Sequence, residues 1–404
     1  MSKKFIQTDI GRIPVGWEPY KVGELVFFSG GAQPDKSVFK YRSTKGYIRL
    51  IQIRDYKADK YETYIPEGLA RKICDEDDVM IGRYGPPIFQ ILRGIKGAYN
   101  VALIKAKPSE KLDKEFFYHF IKNENLFSLM DSLSRRSSGQ TGVELPALKE
   151  YPLPLPSKEE QTAIANALSD VDALITSLDK LITKKFAIKT AAMQQLLTGK
   201  KRLPPFDQAH TGYKQTELGE IPVDWEIVEL ETAVNFFDGM RKPVKSGDRA
   251  KIRGIYRYYG ASGVVDYVND YLFDGAYILL GEDGENILSR NLPLAFKVEG
   301  KFWINNHAHI MQPKIYFDID YLTAFLESLD YSLLNSGTAQ PKLNKQSCLT
   351  INVAKPERAE QKAIGNVLTD MDAEIDALAQ RLTKTQNLKQ GMMQELLTGR
   401  TRLV

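Results

Sequence analysis

Glu160-Gln161-Thr162-Ala163-Ile164-Ala165-Asn166-Ala167-Leu168-Ser169-Asp170-Val171-Asp172-Ala173 returns two hundred residues later as Glu360-Gln361-Lys362-Ala363-Ile364-Gly365-Asn366-Val367-Leu368-Thr369-Asp370-Met371-Asp372-Ala373. The likeness runs on through Met193-Gln194-Gln195-Leu196-Leu197-Thr198-Gly199 and Met393-Gln394-Glu395-Leu396-Leu397-Thr398-Gly399, to Leu203 and Leu403. A repeat of this kind sets the architecture before any single residue is interpreted. Within the first copy Ile164, Leu168, Val171, Ile175, Leu178 and Ile182 are spaced alternately four and three, the seam of a coiled coil; Ile364, Leu368, Met371, Ile375, Leu378 and Leu382 repeat it. An uncovered apolar stripe on each of two long helices is best buried by pairing the two.

Reading outward from the seam, Ser157 is placed to cap the first helix and Glu160 to complete a capping box. Glu357 stands where Ser157 stands, so the second helix is expected to start less firmly. Gly199 falls at the C′ position, with Lys200, Lys201 and Arg202 at the negative end of the helix dipole. An unbroken helix over 158–198 is about 60 Å long at 1.5 Å per residue. Beyond Ile182 the heptad loses phase, so Phe186, Ile188, Met193 and Leu196-Leu197 are expected to leave the seam. A second repeat, Gln7-Thr8-Asp9-Ile10-Gly11-Arg12-Ile13-Pro14-Val15-Gly16-Trp17-Glu18, is answered by Gln215-Thr216-Glu217-Leu218-Gly219-Glu220-Ile221-Pro222-Val223-Asp224-Trp225-Glu226. The order is globular domain 1–156, helix 157–203, globular domain 204–355, helix 356–404. A two-fold relation between the repeats makes the helices antiparallel.

Between the helices, 46–53, 78–81, 101–104 and 276–280 read as strands broken by Gly, Pro and Asp turns, and 115–133 and 320–334 read as helices. The expected fold is α+β: two modules of one topology with divergent loops, joined by a pair of long antiparallel helices in a pseudo-two-fold internal repeat.

The 404 residues exceed one ordinary core, and 43% hydrophobic content suits a globular chain. No apolar run reaches the roughly 18 residues of a membrane span, and the start lacks a secretory core, so a cytoplasmic location is expected. Cys74 and Cys348 form no CxxC pair, and His119, His210, His307 and His309 take no zinc-finger spacing with them. His307-Ala308-His309 sets two imidazoles on one face of a strand, but no Cys or carboxylate pattern completes a metal site. Net charge is +4. Distribution says more than the sum: Arg241, Lys242, Lys245, Arg249, Lys251, Arg253 and Arg257 gather with only Asp248 among them. There is no adenine-methylation motif, no glycine-rich nucleotide fingerprint and no P-loop, so no catalysis is expected; Gly281-Glu282-Asp283-Gly284-Glu285 reads as a turn.

Pro154-Leu155-Pro156-Ser157-Lys158-Glu159-Glu160-Gln161-Thr162-Ala163-Ile164-Ala165, continuing to Thr198-Gly199-Lys200 and Arg202-Leu203, resembles the central conserved region of type I restriction-modification specificity subunits. Residues 356–403 resemble the distal one, and Ile13-Pro14-Val15-Gly16-Trp17 the phrase that opens each target-recognition domain. The resemblance spans essentially the whole chain. It implies a non-catalytic subunit in which each domain reads one half of a bipartite double-stranded DNA site and the helix pair sets the gap. It also implies two methyltransferase (modification) subunits docked on the helices, with restriction (translocase/endonuclease) subunits in the complex. Met193, Leu196, Leu197, Met393, Leu396 and Leu397 are the docking candidates. S-adenosylmethionine, Mg²⁺ and ATP belong to the partners, with no cofactor on this chain. DNA needs cations for phosphates and planar donors for base edges. In the first domain Arg42, Arg49, Arg83, Tyr84, Arg93, Arg135, Arg136 and Gln140 are candidates; in the second, Arg241, Lys242, Lys251, Arg253, Arg257, Tyr258, Gln340 and Lys342. Gln140 and Gln340 occupy matching late loops, and Gln suits adenine. A specificity module of another restriction class and a coiled-coil adaptor without DNA binding remain the alternatives.

Overall fold

The computed structural model describes residues 5–136, 142–208, 212–337 and 340–404. The chain forms two compact units, residues 1–177 with 381–404 and residues 178–380. Both long helices, Lys158–Leu196 and Arg358–Leu396, have 39 residues. The second starts at the position matching the first, so the weaker cap does not shorten it. Each unit therefore contains one globular half, the start of one long helix and the end of the other.

What joins these pieces is a buried carboxylate, made twice. In the first unit Glu160, 0% exposed, accepts a hydrogen bond from Trp17 Nε1 at 2.9 Å and is held through both oxygens by the Arg402 guanidinium. In the second unit Glu360, also 0% exposed, accepts from Trp225 Nε1 at 3.1 Å, while Arg202 donates from Nε at 2.8 Å and from Nη2 at 2.6 Å. A buried carboxylate is tolerated only when paired and hydrogen-bonded, and a bidentate guanidinium with an indole N–H meets that condition. The expected capping box is thus half realised. The Glu160 N–H does bond Ser157 Oγ at 3.3 Å, but the Glu160 side chain is taken by Trp17 and Arg402.

The glutamines beside these carboxylates stitch the helix starts to the globular halves. Gln161 accepts from the Asp113 N–H at 2.6 Å and donates to the Lys111 and Pro156 carbonyls; Gln361 accepts from the Asp318 N–H at 2.9 Å and donates to the Tyr316 and Pro356 carbonyls. The helix ends close the same joints. Gly199 and Gly399 adopt φ of +68° and +64°, and a Cβ there would collide with Pro222 and Pro14. Both the left-handed backbone and the lack of a side chain are needed.

None of the twelve seam residues is exposed, and Ile164, Leu168, Leu178, Ile364, Leu368 and Ile375 are buried. The helices run antiparallel in the second unit, where Lys185 pairs with Glu374 at 2.6 Å and Lys189 with Asp372 at 2.5 Å. In the first unit Lys389 pairs with Asp172 at 2.6 Å. The inward stripe does not end at Ile182 as its apolar pattern suggests. It continues in phase through Lys185 and Lys189, whose stems lie along the partner helix while their amines reach carboxylates, and through buried Thr385 in the other helix. Phe186 and Ile188 are exposed.

The globular halves share one topology. In the second, a six-stranded sheet runs in the order Val234–Phe236, Ala308–Pro313, Phe273–Gly281, Ala295–Ile304, Arg253–Gly260, Gly263–Val268. In the first, its counterpart is split into two four-stranded sheets. The equivalent of Phe273–Gly281 is broken into Ile73–Cys74 and Val79–Gly82, and that of Ala295–Ile304 into Gln90–Leu92 and Gly97–Tyr99. The intervening turns hold each other: Gly94 N–H donates to the Glu76 carbonyl at 2.7 Å, and Lys96 pairs with Asp75. Strand 101–104 is displaced to Leu103–Pro108 because Asn100 Oδ1 accepts from the Ala102 N–H and turns the chain there.

Two helices expected as single pieces are interrupted. Residues 115–133 form Lys114–Phe120 and Glu124–Arg136, with Asn123 Oδ1 accepting the Asn125 N–H at the restart. Residues 320–334 form Ile319–Ser328 and a 3₁₀ turn, Ser332–Leu334, after extended Leu329.

Helix Lys114–Phe120 also brings His119 against the helix pair. His119 is buried, with Nε2 3.1 Å from Ser169 Oγ and Nδ1 without a hydrogen bond, 3.9 Å from Asp172. Burial, reinforced by the Lys389 ammonium and opposed by Asp172, pushes its pKa down to about 4. The second half has Ala324 at the matching place, six residues after the helix cap Asp318.

Two measurements check these joints. Replacing Glu160 by Ala leaves the Trp17 N–H and the guanidinium without their acceptor and should cost about 3 kcal/mol. Hydrogen exchange should then lose about a hundredfold of protection around Trp17 and none around Trp225; equal loss at both would show one shared clasp. His119 should make the first unit pH-sensitive. Its folded pKa lies below the unfolded value near 6.5, so below pH 6.5 the unfolded chain takes up a proton that the folded chain refuses. Stability falls from pH 6.5 to 4, by up to about 3 kcal/mol. In H119A, which copies the second half, thermal unfolding between those pH values should lose that part of the slope.

Candidate functional site

In each half, loops converge at one end of the sheet through backbone hydrogen bonds. In the first, Gly31 N–H donates to Leu103 O, Arg83 N–H to Ala102 O and Val143 N–H to Arg83 O. In the second, Lys242 N–H donates to Ile304 O, Glu282 N–H to His307 O and Leu343 N–H to Glu282 O. The joints Val143–Arg83 and Leu343–Glu282 are equivalent, at 3.1 and 2.7 Å. They anchor the late loops at the same place on the two sheets. The residues at that place differ: Arg83-Tyr84-Gly85, with Arg83 exposed, stands in one half where Glu282-Asp283-Gly284, with Glu282 turned inward, stands in the other.

The candidate residues sort into those facing solvent and those held inward. In the first half Arg42 is exposed, and Arg83 is exposed beside the half-buried Tyr84, its guanidinium 5.2 Å from that ring's centre. Arg49 is turned inward onto Asp59 and Glu62 at 2.9 and 3.0 Å. Arg93 pairs with Glu115 at 2.7 Å and lies over Tyr118. Exposed Arg135 pairs with Asp131 one helical turn back. Arg136 ends that helix; its side chain, and Gln140 altogether, lie outside the described residues.

In the second half Lys242 and Arg253 are exposed, and Arg253 lies close enough to Asp266 to act on its carboxylate. Arg257 is exposed and bonds the Tyr259 hydroxyl, and Lys251 is paired with Asp248 at the surface. Gln340 and Lys342 are exposed on the late loop, Lys342 3.4 Å from Glu282. Two candidates are structural. Tyr258 is 1% exposed and its hydroxyl accepts the Val244 N–H, so its ring has no face for a base. Arg241 is only 14% exposed and donates to Glu282 at 2.6 Å and to the Ala308 carbonyl at 2.8 Å. The basic run 241–257 is therefore mixed: Arg241 and Arg249 tie elements together, Arg249 through Asp266 at 2.8 Å, and the others face out.

The docking candidates are also placed inside. Leu396 and Leu397 sit in the core of the first unit and Leu196 and Leu197 in that of the second, with Met393 and Met193 half-buried against them. Exposed apolar residues on the helices are instead Leu174, Leu181, Phe186 and Ile188 on the first and Leu388 on the second. Leu174, Leu181 and Ile188 recur every seven residues, hence on one face.

Composition alone did not mark the buried cluster behind the second late loop. His309, 1% exposed, has Nδ1 2.7 Å from Asp238 Oδ2 and Nε2 3.0 Å from the Leu343 carbonyl. Burial opposes a charge on this ring. Hydrogen bonds to Asp238 and Cys348 and the nearby carboxylate outweigh it and push the pKa up to about 10. Exposed His307 pairs separately with Asp283 at 2.8 Å. The two imidazoles have different partners, and no group of His, Cys, Asp and Glu among the described residues is arranged to hold a metal. Both cysteines are free and buried. Among the described residues no helix is long and apolar enough to cross a membrane.

Comparison with known proteins agrees with this two-fold layout. The family model described as type I restriction modification DNA specificity domain matches residues 14–185 and again 222–387. The type I restriction enzyme MjaVIII specificity subunit of Methanocaldococcus jannaschii is 26% identical over 431 residues, covering 97% of this chain and 94% of that protein. The putative MjaX specificity subunit of the same organism is also 26% identical, over 100% of this chain and 97% of its own length. Among solved structures, the S subunit of a type I restriction-modification system from M. genitalium has the same fold, with a TM-score of 0.63 at 18% identity over 98% of this chain and 99% of that one.

Proposed function

The chain belongs to the family of type I restriction-modification specificity subunits, and from that premise we propose that its two loop edges read the two halves of a bipartite double-stranded DNA site. The members compared are specificity subunits, which are non-catalytic. Residues 1–156 and 204–355 are the reading regions; 157–203 and 356–404 form the spacer.

One observation carries the reading. The two halves repeat a single scaffold down to the joint between late loop and sheet, yet differ at the equivalent turn, where Arg83 faces solvent and Glu282 is turned inward onto Arg241. A conserved frame with divergent loops suits two domains that bind one kind of ligand and discriminate different sequences. Exposed Arg42, Arg83, Lys242, Arg253 and Arg257 supply phosphate contacts and guanidinium forks for guanine, and Gln340 an amide for adenine. Arg49, Arg93 and Arg241, each bonded to carboxylates, act by shaping the loops.

The helices set the distance between half-sites. Reading from one face of B-DNA requires separations near one turn, roughly 34 Å, or a multiple, and a stiff helix pair holds that phase. Two methyltransferase subunits dock on the exposed Leu174, Leu181 and Ile188 face of the first helix, aided by Phe186, and at Leu388 of the second. Restriction subunits join through that complex, and S-adenosylmethionine, Mg²⁺ and ATP are bound by the partners.

A map of methylated bases in cells carrying this chain and its neighbouring methyltransferase should show a two-part asymmetric motif with a fixed unread gap. The motif should vanish when only this chain is removed; methylation that persists unchanged overturns the reading. Deleting residues 177–180 together with 377–380 takes about 6 Å from each helix and should change the gap or abolish binding. An unchanged gap in the footprint rejects the ruler.

A further inference from the structure

We propose that His309, held as a doubly protonated imidazolium, is a positioning residue for base reading by the second domain: it pins the late loop at Leu343 and so sets where Gln340 and Lys342 meet DNA. This rests on the DNA-reading function proposed above and adds to it a residue that touches no nucleotide.

The charge state follows from the partners. Asp238 Oδ2 faces Nδ1 at 2.7 Å, while Oδ1 of the same carboxylate accepts the Ile310 N–H at 3.0 Å. The Leu343 carbonyl faces Nε2 at 3.0 Å. A main-chain carbonyl only accepts, and so does an ionised carboxylate. A neutral imidazole carries one N–H, so one of its two contacts would set a lone pair against an acceptor. Both contacts are satisfied only by the cation. The surroundings balance it: Asp238 and Glu282, the latter 3.8 Å from Nδ1, face His309 and Arg241, with Lys342 at the rim, the Cys348 thiol alongside and the Phe236 ring edge-on.

The link to the loop runs through one residue. The Leu343 N–H donates to the Glu282 carbonyl at 2.7 Å and its carbonyl accepts from His309, so Leu343 is gripped on both sides. From there the frame is continuous. Lys342 N–H donates to Asn335 Oδ1 at 2.8 Å, Ser336 N–H to the Lys342 carbonyl at 2.9 Å, and Gly284 N–H to the Pro341 carbonyl at 3.0 Å. The first domain repeats only half of the grip. Val143 N–H reaches the Arg83 carbonyl, but the strand position equivalent to His309 is buried Ile104, with no hydrogen to donate from its side chain. The device is peculiar to the second domain, and its loss should affect one half of the site.

The test is H309Q in the full chain, expressed with its methyltransferase and mapped by methylated bases. Glutamine can donate to one partner but carries no charge. One half of the motif should become degenerate and methylation of the original motif should fall about tenfold, while the other half keeps its sequence. Retention of the full motif at undiminished level overturns the proposal, and so does equal degradation of both halves, which marks a general loss of structure. Should H309Q fail to fold, nitrogen-15 spectra of the wild-type chain at pH 8 decide the charge: both ring nitrogens of His309 protonated supports the pin, one unprotonated rejects it. A wild-type chain that yields no two-part motif removes the DNA-reading function instead, and the ring spectrum still reports on the imidazolium.

Discussion

A carboxylate with no access to water has to be met by donors, and in this chain the donors for Glu160 come from opposite ends of the sequence. Trp17 lies 143 positions before it and Arg402 lies 242 positions after it. The same requirement at Glu360 brings in Trp225 and Arg202. Neither unit is complete without a tail from the other repeat. The rest of the architecture depends on this: a long helix that begins in one unit must end in the other for its trailing arginine to reach the waiting carboxylate.

With the helix ends committed to the cores, the middle of the pair is left to hold itself by a seam that is apolar only in part. Lysines continue the stripe with their methylenes and discharge their ammonium groups onto Glu374, Asp372 and Asp172 at the edge. Such exposed pairs add little stability singly but favour one register over its neighbours, since a slipped helix would set lysine against apolar surface. The leucines that leave the seam by periodicity do not wait on the surface for a partner; they finish the hydrophobic cores.

A frame held this firmly allows its loops to differ. The sheets agree in strand order although one is split by paired turns at 75–78 and 93–96. The joint that anchors the late loop is the same in both halves, yet the residues around it are Arg83 and Ile104 in one and Glu282 and His309 in the other. Charge in these loops serves two purposes that composition cannot separate. Arg253 and Arg83 face outward, while Arg241 and Arg49 are neutralised inside.

The duplication, the two helices, their antiparallel pairing, their glycine stops and the α+β halves can be read along the chain. These are written in local periodicity and in repeated words, and each repeat had to find the same physical solution. Which polar residues are buried is fixed once distant segments of the chain have met. Read locally, Glu160 is half of a capping box, Tyr258 and Arg241 are DNA contacts, Leu196 and Leu197 are a docking surface, and His309 is one of two imidazoles on a strand face with no metal site to complete. In every case the deciding neighbour lies tens to hundreds of residues away, where no local pattern can announce it. Hydrogen bonding and desolvation are settled by the atoms within about 3 Å of a group, and for these side chains folding alone determines which atoms those are.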